Sequence, residues 1–402
     1  MNFHISEKMA SLKPSAIREI LKATSQPGII PFAAGNPAPE AFPVQAVAEI
    51  TADILKNQPI AALQYSVSEG YPALRETMKR FIAQHDQIGQ PYDDLIIVSG
   101  AQQGIELSAK VLLDDGDTLI CENPSFIGSL NAFRSYHVNL VGVPQTQGGI
   151  DIETLERTLQ QNPRTRLLYV IPNFQNPTGT CMSLEKRKAV LELAKKYNFI
   201  ILEDNPYGNL RFAGEDIPAI KSMDTEGRVI YCGSFSKILA PGIRVGYVCA
   251  HRDLISKITV AKQCSDVHTT ILSQMICQRF VDDYDIDAHI ASIRKIYAKK
   301  CALMLSELDK HLHPAIQYTR PEGGLFLWCT LPQQVDMLEF CRKAVEQKVA
   351  VVPGNAFNAR EEDPSSSFRV NFSTPTDPQI VEGAAILGKL SYEMLEAIPA
   401  QR

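Results

Sequence analysis

The chain has 402 residues, 45% of them hydrophobic and 21% charged, with a formal net charge of -5. That length allows a large domain plus a smaller one; the acidic balance, without a basic cluster or aromatic-interleaved patch, argues against a nucleic-acid partner. No apolar run reaches the ~18 residues that would span a membrane, no charged-then-apolar signal opens the chain, and nine cysteines without a close pair point to reduced thiols in the cytoplasm and away from disulfides or a metal site.

In chain order, Met9–Leu21 reads as an N-terminal helix after Pro14, with Ser15 and Arg18 one turn apart on one face. Pro31-Phe32-Ala33-Ala34-Gly35-Asn36-Pro37 is a loop, and Gln64 to Gly70, carrying Tyr65, leads into a helix over Tyr71–His85. Leu95–Val98 reads as a strand that passes through Ser99-Gly100-Ala101-Gln102 into a helix. Such a helix start is a tight turn, and its amides at Gly100, Ala101 and Gln102 can cradle a phosphate. Thr118–Cys121 is a strand followed by Asn123-Pro124-Ser125-Phe126, where Phe126 is a core aromatic or a flat face for a ring. Val138–Val143 and Leu167–Ile171 follow, the second ending in Asn176-Pro177-Thr178-Gly179, a turn by composition. After a helix over Leu184–Tyr197, the strand Phe199–Leu202 brings Asp204 to its carboxyl end, where ligands of open sheets bind, with Tyr207 three residues on. Val229–Cys232 precedes Ser234-Phe235-Ser236-Lys237, and Arg244 comes seven residues after the lysine. A long helix over Ile286–Leu312 leads to Leu325–Cys329, Val349–Val352, Phe368–Phe372 and a helix over Ile380–Met394, with Glu361–Ser367 as a mobile loop.

Strands alternating with helices up to about Ala250 predict an α/β fold. It has a large domain with a mainly parallel sheet between helices, and a smaller α+β domain after it. The expected division is an arm and part of the small domain over 1–50, a large domain over 51–300 and a small one over 301–402, with the functional cleft between the two.

The chemistry follows from the residue types. A lysine that forms a Schiff base must be able to shed its proton, which burial and nearby positive charge favour. Two hydroxyls and an arginine beside Lys237 are the donors that a phosphate ester asks for. Lysine and phosphate site in one segment suggest covalently held pyridoxal phosphate. Asp204 can then face its ring nitrogen, while Tyr207 and Asn176 reach the phenolic oxygen O3′.

The order Ser-Gly-Ala, Asn-Pro-Ser-Phe, Asn-Pro-Thr-Gly, Asp-x-x-Tyr, Ser-x-Ser-Lys and Arg-x-Gly resembles the fold-type I, class I/II aminotransferases from about Ile17 to the C-terminal helix. Within them the chain is most similar to the 2-aminoadipate and kynurenine aminotransferase-like subgroup. The resemblance implies an aspartate aminotransferase-like fold and pyridoxal 5′-phosphate joined to Lys237, which also serves as general base. Asp204 would pair with the ring nitrogen, and Asn176 and Tyr207 would bind O3′. Ala101, Gln102, Ser234, Ser236 and Arg244 would surround the phosphate. Phe126 would stack on the ring, where some relatives use Trp or Tyr. Arg369, in the alternating run Phe368–Phe372, would fork onto the substrate α-carboxylate, with Gly35 in the substrate loop. Tyr65 would reach the phosphate of a neighbouring subunit, making a homodimer with shared active sites.

The implied reaction is ping-pong transamination between an L-amino acid and a 2-oxo acid such as 2-oxoglutarate. The donor stays open among 2-aminoadipate, aromatic and branched-chain amino acids. Arg18 either binds a distal carboxylate or is a helix-surface residue, and Ile17 and Ile20 suit an apolar lid equally well. Rival readings are β-elimination or decarboxylation on the same cofactor, and a cofactor-sensing regulatory domain joined to a DNA-binding module. The 30 residues before Pro31 leave no room for such a module.

Overall fold

Alternation along the buried strands sets the architecture. Leu119, Leu167 and Tyr169 pack into one apolar core, while Ile120, Leu168 and Val170 pack into another. Successive side chains of a strand point to opposite faces, so the sheet that carries them has a core on each side. The computed structural model describes residues 3–10 and 28–396. A short helix covers Glu7–Ala10; the helix expected after Pro14, with Ser15, Ile17, Arg18 and Ile20, lies outside the described residues.

The large sheet has eight strands: β1 (Asp93–Val98), β2 (Thr118–Asn123), β3 (Asn139–Thr146), β4 (Gly149–Ile150), β5 (Thr165–Val170), β6 (Ile200–Asp204), β7 (Val229–Ser234) and β8 (Gly246–His251). They lie in the order β1-β8-β7-β6-β5-β2-β3-β4. From β3 through β2, β5 and β6 to β7 all pairings are parallel. Strand β8 runs antiparallel to both neighbours, β7 and β1. The parallel strands therefore deliver the loops after Asn123, Val170, Asp204 and Ser234 to the same edge of the sheet.

A second, antiparallel sheet has the order β11-β12-β10-β9, from β9 (Gln317–Tyr318), β10 (Phe326–Thr330), β11 (Val352–Pro353) and β12 (Ser367–Asn371). The helix Ile286–His311 connects the two sheets and packs along the helix Asp377–Glu396. The expected strand at Val349–Val352 is shorter because Val349 bridges to Ile30 instead. Bonds from Ala350 N to Ile30 O (3.1 Å) and from Asn371 N to Phe32 O (2.8 Å) lay the chain near residues 30–36 along this sheet. The stretch expected to be a mobile loop is tethered. Arg134 pairs with Glu361 (2.9 Å) and donates to Asn358 O (2.9 Å) and Ala359 O (3.0 Å), and Ser367 already belongs to β12.

Within the large sheet, the turn after β1 and strand β7 come close to β8 at a glycine. A Cβ on Gly246, at the start of β8, would lie 2.7 Å from Ala101 N and 2.9 Å from Gly233 O. These are backbone atoms, which cannot swing aside. Gly246→Ala should therefore cost about 1–3 kcal/mol by overpacking, read as a lower urea midpoint. Gly242→Ala, whose Cβ meets nothing within 4 Å, is the neutral control. Equal midpoints for the two variants would mean that the strand shifts without penalty.

Candidate active site

Segments after five strand ends at the carboxyl edge of the large sheet, and Arg369 from the second sheet, line one cavity of about 420 Å³. Its wall includes Gly35, Ala101, Gln102, Phe126, Asn176, Asp204, Tyr207, Ser234, Ser236, Lys237, Arg244 and Arg369. Residues spread over more than 330 positions of sequence thus meet, because each sits where a strand ends or where the segment 33–36 crosses it. One expected residue stands apart: Tyr65 is 81% exposed, with its ring edge-on to that of His268 at 5.8 Å. Arg18 lies outside the described residues. Gly100 borders the cavity from behind: a Cβ there would lie 2.2 Å from Arg244 Nη2. Its φ of +79° also favours glycine, so the arginine fork lies directly over a bare turn.

Lys237 Nζ donates to Gly35 O at 2.8 Å. Burial, then the positive charges of Arg369 and Arg244, push its amine down to about 8. Near neutral pH it can release its proton at little cost. Asp204 is buried at the end of β6 and is pushed up to about 7 by that burial. Opposing this, the Tyr169 hydroxyl donates to Asp204 Oδ2 at 2.7 Å and accepts from Ser129 Oγ at 2.9 Å. The other carboxylate oxygen, Oδ1, is buried without a hydrogen-bond partner. An orphaned anionic oxygen of this kind calls for a cationic donor from a ligand.

Arg369 is buried in β12, and desolvation pulls its guanidinium down to about 10, still cationic at neutral pH. It is stacked between the rings of Phe326 (4.2 Å) and Phe357 (5.1 Å). Nη1 donates to Asn176 Oδ1 (2.9 Å) and Nη2 to Ala33 O (2.8 Å), while Nε has no partner. Rings and carbonyls hold the group flat without neutralising it. Tyr207 is buried edge-on to Phe326 at 5.8 Å; burial keeps its phenol protonated, and the Asn176 side chain hydrogen-bonds to it.

Opposite lies a set of donors suited to an anion. Arg244, in a left-handed conformation, and Ser234 and Ser236 face the first turn of the helix Ala101–Leu112 across the cavity. Phe126 forms another wall at the start of the helix Ile127–Arg134. A ring cation for Asp204 Oδ1, a phosphate ester for the hydroxyls, Arg244 and the helix start, and an aldehyde for the Lys237 amine together describe pyridoxal phosphate. The residues present fit that group.

Two supporting residues were not foreseen. Tyr169 lies within an apolar strand and reads from sequence as a core aromatic. Arg187 lies in Leu184–Tyr197, a helix whose many charges suggest a surface. It is instead fully buried and donates to Pro172 O (3.0 Å), Asn173 Oδ1 (2.6 Å), Met182 O (2.9 Å) and Pro218 O (3.0 Å), pinning both ends of the loop that presents Asn176. The placing of a single buried arginine in a basic helix gives no periodic signal.

Comparison with known proteins agrees with this geometry. Residues 27–387 match the family described as Aminotransferase class I and II. The aromatic-amino-acid aminotransferase 1 of Thermococcus litoralis is 39% identical over 98% of this chain and 95% of its own. The 2-aminoadipate transaminase of Thermus thermophilus is 38% identical over 96% of both. The solved structure of Pyrococcus horikoshii kynurenine aminotransferase, in complex with PMP, superposes with a TM-score of 0.94 at 37% identity, covering 98% of each chain. With sequence, fold and cleft in agreement, the chain belongs to the class I and II aminotransferases, as a fold-type I enzyme that works with pyridoxal phosphate.

Proposed function

We propose that this enzyme moves the amino group of an L-amino acid to a 2-oxo acid, with 2-oxoglutarate as acceptor, and that the first oxo acid leaves before the second enters. The observation that carries this reading is Arg369. It is a buried, ring-stacked guanidinium in the cavity that holds Lys237, and its Nε has no partner. A planar fork kept cationic without a carboxylate beside it suits the α-carboxylate common to every amino donor. It also favours chemistry that retains that carboxylate over decarboxylation.

Bound pyridoxal phosphate supplies an aldehyde for the amino group and a cationic ring that draws electrons from the substrate α-carbon. Lys237 is its attachment point and, once free, the base that takes the α-proton, a role served by an amine pushed down to about 8. Asp204 keeps the ring nitrogen protonated, and Asn176 and Tyr207 bind O3′. Gly100, Ala101, Gln102, Ser234, Ser236 and Arg244 take the phosphate, and Phe126 stacks on the ring. Arg369 and Asn176 orient the substrate over Gly35.

The donor is 2-aminoadipate or an aromatic or branched-chain amino acid; the named relatives support the first two. Arg18 is the candidate for a distal carboxylate. The division at 1–50, 51–300 and 301–402 corresponds to arm, large domain and small domain. A homodimer, in which Tyr65 reaches the neighbour's phosphate, is supported by the exposure of Ile60 (75%), Leu63 (73%) and Val67 (50%) close to Tyr65. Such a contiguous apolar face is what an interface covers. A cytoplasmic location accords with nine free cysteines, and no helix among the described residues is long and apolar enough to cross a membrane.

A panel of amino acids against 2-oxoglutarate, reading glutamate formed, tests the reaction directly. Lys237→Ala should give no borohydride-trapped cofactor adduct by mass spectrometry and lose turnover by orders of magnitude. Retained turnover would remove Lys237 from the chemistry.

Arg369→Lys keeps the charge and loses the fork. A lost charge-assisted pair is worth about 1.5–3 kcal/mol, so kcat/KM should fall roughly ten- to a hundredfold for all donors alike. A loss confined to one donor would mean that Arg369 reads the side chain.

Tyr169→Phe removes the only hydrogen bond that opposes the burial of Asp204. The Asp204 pKa then rises, so the anion persists only at higher pH. The acidic limb of the kcat profile should move up by about one unit, since one unit corresponds to about 1.4 kcal/mol, near the value of one such bond. Cofactor content should stay unchanged. An unmoved profile would show that Tyr169 only fills space.

A further inference from the structure

Small residues make the turn Ser99-Gly100-Ala101, so its shape must come from what lies behind it. Lys262, on the helix Arg252–Gln263, has a side chain with no exposure at all. Its Nζ donates to Gln103 Oε1 (2.7 Å) and to both oxygens of Asp266 (2.8 and 3.0 Å). The same Gln103 Oε1 accepts from Ser99 N at 2.8 Å. Asp266 Oδ2 accepts from Ser99 Oγ (2.7 Å) and from Gln103 Nε2 (2.8 Å). On the far side, Ser99 O accepts from Arg244 Nη2 at 3.3 Å. Ser99 is thus held by its amide, its hydroxyl and its carbonyl at once.

The network continues away from the cavity. Ser99 Oγ lies 3.0 Å from Thr269 Oγ1, and Thr269 O accepts from Gln274 Nε2 at 2.7 Å. Gln274 Oε1 in turn accepts from Tyr71 N at 2.7 Å, at the end of the loop that carries Tyr65. Neither Lys262 nor Asp266 lines the cavity. Lys262 is sealed from solvent while the Asp266 side chain is 30% exposed; the sealed cation gives up its solvation, so the pair is a weak source of stability and is better suited to fixing geometry. A helix start binds an anion well only when its amides already point at the anion's position.

We infer that Lys262 and Asp266 are positioning residues for phosphate recognition: their ion pair, through Gln103 and Ser99, holds the Ser99–Ala101 turn and the Arg244 fork in the shape that receives the cofactor's phosphate. This rests on the proposed phosphate site at that turn. The network contacts neither Asp204 nor Lys237, so it should affect the phosphate end of the cofactor and leave the ring end alone.

The test strips the holoenzyme and reloads it either with pyridoxal phosphate or with pyridoxal, which lacks the phosphate, and follows binding by absorbance and by tryptophan fluorescence. Asp266→Asn preserves shape and removes the charge. It should weaken pyridoxal phosphate about tenfold, the worth of one charge-assisted bond, and pyridoxal by less than about twofold. Lys262→Met should act in the same direction; if it fails to fold, Asp266→Asn decides. Arg244→Gln, which alters the fork itself, is the reference. If Arg244→Gln loses the preference for the phosphorylated form and Asp266→Asn keeps it, the positioning role is overturned. If Arg244→Gln weakens both forms alike, the phosphate site itself is misplaced. If Asp266→Asn weakens both forms alike, the pair supports only the general fold.

Discussion

Positive charge without a counter-charge is the constraint on which the cleft depends. Lys237, Arg244 and Arg369 converge on one cavity, and their hydrogen bonds go to carbonyl and amide oxygens instead of to carboxylates. Burying a cation unpaired is costly, and a protein usually avoids it by supplying an acid. Among the described residues the only carboxylate in the cavity wall is Asp204; Tyr169 holds one of its oxygens and the other has no partner. The missing negative charges are of two kinds, a phosphate and a carboxylate, which is what a phosphorylated cofactor and an amino acid bring. Binding and charge neutralisation are then one event. This explains why Arg369 is stacked on rings and all three cations are propped by carbonyls, arrangements that fix geometry without reducing charge.

Holding such a site open requires rigidity from groups that do not touch ligand. Three polar sets, each with a buried member, do this from three directions. Ser129 and Tyr169 stand behind Asp204. Arg187 ties the loop 172–182 to itself and to Pro218. Lys262 and Asp266 stand behind the turn at Ser99. Each set is attached to a strand end or to the helix that follows one. The parallel sheet is therefore both the platform of the loops and the route by which their shape is fixed.

Most of the fold and of the proposed cofactor and substrate contacts could be read from sequence, and the supporting residues could not. Apolar runs such as Leu167–Ile171 and Val229–Cys232 are short, β-branched or aliphatic and bounded by turn residues, so their strands were visible from local chemistry. Asp204, Lys237 and Asn176 follow such runs directly, and their positions reveal them. Tyr169 sits inside one of the runs, where a phenol is indistinguishable from any core aromatic until its partner 35 residues away is known. Arg187 and Lys262 occupy charged helices, and helical periodicity says which face is apolar but not that one cation on it is sealed in. The short β11 and the early bridge at Ile30 show the other limit. Val349 pairs with a residue more than 300 positions away, and no local pattern reports such a partner. Tyr65 is singled out only through family resemblance, and among the described residues it is largely exposed.

The segment running from Ala33 to Asn36 is gripped from both sheets through its main chain alone. Arg369 holds Ala33 O, Lys237 holds Gly35 O, and the hydroxyls of Ser373 and Thr374 hold Asn36 O. Oxygen atoms that every amino acid possesses are what the site reads there. Packing still limits the buried side chains of Ala33 and Ala34, but the hydrogen bonds themselves do not depend on which side chain each position carries. The register of the carbonyls, by contrast, cannot drift. Removing one residue between Pro31 and Pro37 would turn the oxygens away from both basic groups at once. The length of this strap, more than its composition, is what descent has to preserve.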